Sequence, residues 1–286
     1  MQHFILFLVT VLIILFYSQY IEPNWFKIKR VHVKVKKPLP RPIAILHLSD
    51  THFTGKDKLK DKFFDQLCSL DPDFVFITGD IIDCDEGIDE AVRNLARLKA
   101  RVGKYAILGN HDYWNYRFVH NFTYHVKGQM TSDKPNNTEL FIQKMEAAGI
   151  RTLVNQNVST TIEGKKFTIA GTDDPVTTKV DFTKTFENMK NDSFNILLTH
   201  LISVTTKMPS VNLDIVFSGH THGGQFRLPF LGGFVIGFFM HRKYLDGVHE
   251  MDNGVIACIS RGIGASRSLT LRFFCRPEAI LMEISA

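Results

Sequence analysis

Cysteine is scarce in this chain, and its spacing is wrong for metal. The 286 residues include four, Cys68, Cys84, Cys258 and Cys275. None belongs to a CxxC pair, which excludes a cysteine-based metal site of that type and leaves four free thiols compatible with a reducing compartment. Positive charge is scarce where a nucleic-acid-binding face would need it. Seven basic residues against Glu22 give residues 1–41 a charge of +6, so of the total +5 the remaining body carries −1. A near-neutral body argues against nucleic acid as a partner. Internal repeats and low-complexity tracts are lacking. Lysine and arginine are also lacking from Met1-Gln2-His3, ahead of the first apolar run, and Ser18-Gln19-Tyr20 is a poor cleavage site. Those two deficits argue against a cleavable secretory signal.

That apolar run, Phe4 to Tyr17, is interrupted only by Thr10 and keeps its character to Ile21. At about 18 residues it is near the lower limit for a spanning helix. We read residues 1–22 as a retained anchor, 23–42 as a basic juxtamembrane segment and 43–286 as the globular body. The cluster from Lys27 to Arg41 follows the helix, so the positive-inside rule leaves the body in the cytoplasm, with the cluster near anionic headgroups. Val31 to Val35 also reads as an amphipathic strand with solvated lysines, and both readings can hold. Pro38, Pro40 and Pro42 mark entry to the body.

The body begins as an alternation of strands and helices. Ile43–Leu48, Phe74–Ile77 and Lys104–Leu108 are short apolar runs, separated by helical patterns over Lys58–Leu70 and Glu86–Arg101. That order predicts a parallel sheet. Further on, Glu139–Ala148 reads as a helix and Asp181–Met189 as helical. Arg151–Thr161, Lys166–Ala170, Phe194–Leu198, Ile215–Phe217, Leu245–Glu250, Val255–Ser260 and Glu278–Ile284 read as strands.

Each early strand ends in polar residues that can bind metal. The first runs into Asp50 and His52, the second into Asp80, the third into Asn110 and His111. One polar strand end is ordinary, and Asp50 alone could be a helix cap. Three at one sheet edge are a constellation. Two later strands add His200 and the turn Gly219-His220-Thr221-His222. The set Asp50, His52, Asp80, Asn110, His200, His220 and His222 mixes carboxylate, amide and imidazole. Such ligands suit Mn²⁺, Fe²⁺ or Zn²⁺ better than Ca²⁺. Seven exceed the need of one ion, and two divalent ions bridged by one carboxylate would use them all.

The ordered motifs Asp50-x-His52, Gly79-Asp80-x-x-Asp83, Gly109-Asn110-His111-Asp112, Thr199-His200 and Gly219-His220-Thr221-His222 resemble those of the calcineurin-like metallophosphoesterases. The resemblance covers essentially residues 43–285. It implies a four-layer α/β/β/α sandwich of two β-sheets flanked by helices, here preceded by a transmembrane helix. It implies one metal on Asp50, His52, Asp80 and His222, and a second on Asp80, Asn110, His200 and His220. His111 would be a catalytic residue facing the scissile phosphate, held by Asp112. The anchor, the stretch Gly219 to Pro229 and the ending Arg272 to Glu278 are similar to a membrane-anchored bacterial branch. That branch includes UDP-2,3-diacylglucosamine pyrophosphatases of lipid A synthesis. Some relatives carry a twin-arginine export signal and this N-terminus does not, which favours the cytoplasmic face of a bacterial inner membrane.

A lipid-linked phosphate substrate at the bilayer would account for Arg227 and Arg261 as substrate-binding residues, with Arg242, Lys243 and Arg267 nearby. It would also account for the apolar run Leu228–Met240, as a lipid-facing flap or else a buried hairpin. The aromatic segment from Tyr113 to Tyr124 is either a substrate contact or a packed cap. No protein partner is implied. Two other functions stand beside the lipid pyrophosphatase: a phosphodiesterase or phosphatase on another substrate, and a non-catalytic membrane scaffold. The complete ligand set argues against the scaffold.

Overall fold

The computed structural model describes residues 1–116, 134–228, 232–234, 242–265 and 270–286. The apolar N-terminus forms α1 (Gln2–Phe16), and helical turns continue it, so the whole helix covers Gln2–Asn24, 23 residues. At 1.5 Å per residue it is about 34 Å long, enough to cross a hydrocarbon core of about 30 Å. No residue of α1 is buried. Phe4, Leu6, Phe7, Leu12 and Ile13 are all exposed. A helix apolar on every face belongs in a core or a membrane. None of the described residues encloses α1, and it can act as a membrane anchor.

In chain order the strands are β1 (Lys27–Lys34), β2 (Ile43–Leu48), β3 (Phe74–Thr78), β4 (Gly103–Ile107), the ribbon β5 (Trp114–Asn115) and β6 (Lys134–Pro135), and β7 (Ile150–Thr152). Then come β8 (Gln156–Ile162), β9 (Lys165–Gly171), β10 (Phe194–Leu198), β11 (Ile215–Ser218), the ribbon β12 (Phe226–Leu228) and β13 (Gly232–Phe234), β14 (Gly247–Glu250), β15 (Ile256–Ile259) and β16 (Glu278–Ser285). One six-stranded sheet runs β1-β16-β2-β3-β4-β7 and the other β14-β15-β11-β10-β9-β8. Strands β2, β3, β4 and β7 are mutually parallel, as the strand–helix–strand order predicts.

Residues 27–34, inside the segment read as juxtamembrane, form the edge strand β1, parallel to β16 from Lys27↔Glu278 to Lys34↔Ser285. Several of that segment's charges are engaged by the body. Lys27 Nζ is 3.0 Å from Glu278, and Lys37 Nζ is 2.9 Å from Asp214.

The stretch read as one strand, Arg151–Thr161, is two strands in different sheets. The break falls at Leu153–Asn155, where Asn155 has φ 51°. Asparagine tolerates that left-handed conformation, and it turns the chain from one sheet to the other. The helix read over Asp181–Met189 is a single turn, Phe182–Thr185, capped by Asp181.

The sheets pack face to face through Ile45, Phe74 and Phe76 from one and Phe167, Phe194 and Phe217 from the other. The Phe76 and Phe217 rings are 5.2 Å apart. Helices α2 (Lys58–Leu67) and α3 (Ile88–Ala96), with Thr138–Ala147, cover the outer face of the first sheet through Phe64, Leu95 and Phe141. Short helical turns, among them Ile202–Lys207, cover the second. The result is an α/β/β/α sandwich behind an apolar N-terminal helix.

Asp73, fully buried below β3, ties the sheet's edge together. It accepts from Arg41 Nη2 at 2.7 Å, Arg101 Nε at 3.0 Å and the Ala44 N–H at 2.9 Å. Burial alone would raise its carboxyl, but the guanidiniums and the amide outweigh burial and hold it below the usual range. A depressed carboxylate contributes stability above its unfolded value, about 4, and loses it as pH falls through the folded value. Asp73→Asn is therefore expected to cost about 1.5–3 kcal/mol at neutral pH, the worth of hydrogen bonds to a charged group. The cost should shrink in acid. Thermal unfolding near neutrality and near pH 3 checks this, and an equal loss at both would exclude the ion pairs as its source.

Candidate metal centre

The ends of β2, β3 and β4 from one sheet and β10 and β11 from the other converge on a single edge. They deliver Asp50 and His52, Asp80, Asn110, His200, and His220 with His222. Five of these leave their strands through left-handed backbone. Asp50, His52, Asp80, His220 and His222 have φ between 45° and 68°. Neighbouring loops hold one another there: the Asp50 N–H donates to Gly79 O at 3.0 Å and the His52 N–H to Asp80 O at 3.0 Å. Two glycines permit the crowding. A Cβ on Gly109 would lie 2.3 Å from Asp80 Oδ1, and one on Gly219 would lie 1.8 Å from Ser49 Oγ.

Three groups of possible ligands result among the described residues: His52, Asp83 and His111 make one, and the other two share Asp80. Of those two, Asp50, His52, Asp80 and His222 form the first, and Asp80, His200 and His220 the second. In the first, His52 Nε2 and His222 Nε2 are 3.2 Å apart, and His222 Nε2 is 3.4 Å from Asp50 Oδ1. In the second, His200 Nε2 is 3.2 Å from Asp80 Oδ2 and 3.1 Å from His220 Nδ1. Imidazole nitrogens facing each other and a carboxylate at this spacing match ligands sharing an ion with bonds of about 2.0–2.2 Å. Asn110 Oδ1 is buried and has no hydrogen-bond partner among the described residues. A lone amide oxygen buried without a donor is costly, and an oxygen-seeking cation would satisfy it. The donor set fits divalent metal.

Electrostatics divide the imidazoles into two kinds. Burial would raise Asp80, yet the imidazoles of His200 and His111 hold it well below the carboxylate range. Burial would lower His200, yet Asp80 pushes it up to about 10. Burial, and next the charge of His200, push His220 down to about 3. Burial and then His52 lower His222. Neutral imidazole is the ligand form, which burial favours at His220 and His222, whereas at His200 a metal would have to displace a proton that Asp80 holds.

His111 stands beside the clusters. Its Nδ1 is 2.6 Å from Asp83 Oδ1, and the same oxygen is 2.7 Å from His52 Nδ1. Its ring lies edge-on to Tyr116 at 4.7 Å. Burial works to lower it, but Asp80 and Asp83 raise it to about 9. Asp112, expected to hold His111, does something else. It accepts the N–H groups of Ile81, Ile82 and Gly109 at 2.8–2.9 Å, locking the second strand end to the third. The reason is local. His111 and Asp112 are adjacent on the one-turn helix α4 (Asn110–Tyr113), and neighbours on a helix do not face each other. The carboxylate on the ring comes from Asp83.

Arg227 and Arg261 converge on one carboxylate. Arg227 Nη1 is 2.5 Å from Asp246 Oδ1, and Arg261 Nε is 2.7 Å from Asp246 Oδ2. Lys243 Nζ lies 5.1 Å from the Tyr244 ring centre. The side chain of Arg242 and all of Arg267 lie outside the described residues. In the apolar run Leu228–Met240, β13 pairs antiparallel with β12, and residues 229–231 and 235–240 lie outside the described residues. Of the aromatic segment, the Tyr113 hydroxyl donates to Asp173 at 2.6 Å, and residues 117–133 lie outside the described residues.

Two residues in contact with the cluster imidazoles were not assigned from sequence. Asp83 was in view as the last residue of Gly79-Asp80-x-x-Asp83. Arg272 was in view only as the start of the ending Arg272 to Glu278, and no spacing ties it to His222, fifty residues away. Its buried guanidinium donates to Arg261 O at 2.9 Å, Gly264 O at 2.5 Å and Cys275 O at 3.0 Å, and Nη2 lies 3.3 Å from His222 Nδ1.

Residues 43–224 match the family described as Calcineurin-like phosphoesterase. Metallophosphoesterase YkuE of Bacillus subtilis is 27% identical, across 94% of this chain and 89% of that protein. Phosphodiesterase YaeI of Escherichia coli is 26% identical, across 94% and 92%. UDP-2,3-diacylglucosamine pyrophosphatase LpxG of Chlamydia muridarum is 25% identical, across 93% and 92%.

Proposed function

The chain belongs to the calcineurin-like phosphoesterases, and on that premise we propose that it hydrolyses a phosphoester or pyrophosphate bond in a lipid-linked substrate at a bacterial inner membrane. UDP-2,3-diacylglucosamine is the first choice of substrate, with UMP and a lipid monosaccharide phosphate as products. The observation that carries this reading is the packing of the apolar helix's foot against the segment that also contacts His222. The Arg272 N–H donates to Ser18 O at 2.9 Å, and Cys275 Sγ donates to His222 O at 3.2 Å. The name of the LpxG relative supports the lipid-linked pyrophosphate. A second reading, a phosphodiesterase acting on another substrate, is favoured by the name of YaeI, which is as similar.

Asp50, His52, Asp80 and His222 would hold one divalent ion and Asp80, Asn110, His200 and His220 the other, with manganese first and iron or zinc as alternatives. Bound there, such a pair lowers the pKa of a water and clamps the phosphoryl oxygens. Asp83 fixes the ring of His52 by its Nδ1, leaving Nε2 aimed into the cluster. The same carboxylate holds His111, whose proton is placed for a leaving oxygen. The catalytic body would lie on the cytoplasmic side.

The assay uses the full chain in detergent with Mn²⁺ and UDP-2,3-diacylglucosamine. UMP is expected, and chelation should abolish it. Hydrolysis of a simple aryl phosphodiester without UMP would select the second reading. No hydrolysis of either would overturn the enzyme assignment of this centre.

A further inference from the structure

The helix that can enter a membrane is clamped to the body, with no flexible tether between them. Ser18 and Glu22, at its foot, are buried. The Glu22 carboxylate accepts the Phe274 N–H at 2.9 Å and also the Cys275 N–H. Gln19 Nε2 donates to Thr270 at 2.6 Å. The chain then leaves the helix through Trp25, and the Lys27 N–H donates to Pro277 O at 3.1 Å. Two segments about 250 residues apart are thus knotted together at the point where the helix ends.

At that knot the protein displays aromatic rings to solvent. Tyr20, Trp25 and Phe274 are 62%, 51% and 60% exposed. The Arg276 guanidinium lies 4.0 Å over the Trp25 ring. Phe274 has φ 51°, a conformation that a bulky aromatic rarely adopts. Its backbone is fixed by Glu22 while its ring gains little burial, so the fold accepts strain to present an aromatic outward. Tyrosine and tryptophan beside a cation are the chemistry of the membrane–water interface, where one end of the side chain is apolar and the other wet.

We propose that Tyr20, Trp25, Phe274 and Arg276 form a shelf that seats in the headgroup layer of a bilayer. The shelf would hold the metal clusters against the membrane surface in one fixed orientation. It rests on reading α1 as an anchor. Continuity with that helix singles out lipid as the occupant, and the shelf adds a second, sequence-distant contact to it. Cys275, next to Phe274, reaches the His222 carbonyl, so the ligand clusters stand one residue behind the shelf. The substrates this geometry serves keep their phosphate at headgroup level.

The chain has two tryptophans, Trp25 and Trp114. Full-length protein carrying W25F, W114F and F274W therefore has one tryptophan, at position 274, which is excited selectively where the seven tyrosines do not absorb. It is reconstituted into phosphatidylcholine–phosphatidylglycerol vesicles with bromine on the lipid chains either near the headgroup or near the methyl end. Stronger quenching by the shallow bromine is the expected result. Quenching by neither, or more strongly by the deep one, would overturn the shelf. This readout needs no turnover, so it is independent of the substrate assignment. If the lipid substrate is hydrolysed, F274D should lower turnover of vesicle-embedded UDP-2,3-diacylglucosamine about tenfold, the worth of partly burying one aromatic ring. The same variant should leave a water-soluble aryl phosphodiester unchanged. Equal effects on both substrates would count against the shelf.

Discussion

Asp80→Asn is expected to empty both metal sites at once. Asp80 is the residue common to the two ligand clusters, and its Oδ2 is 3.2 Å from His200 Nε2 and 3.8 Å from His52 Nε2. Asparagine keeps the shape, retains an oxygen that can accept the His111 N–H now bonded to Oδ1, and tolerates the left-handed backbone. What disappears is the charge that would bind the ions and that favours the protonated form of His200. Metal content should fall from two ions per chain to well below one. Hydrolysis should fall by at least about 10³-fold, the upper range for removing a single electrostatic stabiliser. Elemental analysis of the purified variant, with circular dichroism to confirm the fold, makes the measurement. Two ions retained would mean that Asp80 bridges nothing.

His111→Ala separates chemistry from metal binding. The ring contacts Asp83 and lies outside both clusters that contain Asp80. Metal content is expected to stay at the parent level while turnover falls by about 10²–10⁴-fold, the size of a lost general acid. The loss should be smallest for substrates whose leaving group needs no proton, such as a nitrophenolate. A rate near that of the parent on a poor leaving group would remove His111 from the reaction.

Much of the fold was legible because buried parallel strands advertise themselves. Ile43–Leu48, Phe74–Thr78 and Phe194–Leu198 are short, apolar and cut off by polar residues, and the strand–helix order fixed their direction. The residues that the fold gathers into the two clusters sharing Asp80 were legible for the same reason: each lies just past a strand end. Boundaries failed where local chemistry was silent. Nothing apolar or polar marks the crossover at Asn155, which depends on one residue's backbone angle. The pairing of His111 with Asp83 was hidden because contact across two strand ends leaves no trace in spacing, whereas the adjacent Asp112 was a plausible and wrong neighbour. The arginines differ in another way. Arg227 and Arg261 look like free phosphate binders in sequence, and only the fold reveals the shared Asp246.

The left-handed residues around the metal centre have a consequence for how this protein can change over time. A non-glycine residue held at positive φ costs about 1 kcal/mol at the low end of strained backbone. Five such residues together approach the net stability of about 5–15 kcal/mol that a whole domain commands. The fold therefore carries its site as a standing debt. A lineage released from the need for hydrolysis would gain thermal tolerance by letting Asp50, His52, Asp80, His220 or His222 drift to glycine or asparagine, and decay of the ligand set would run downhill.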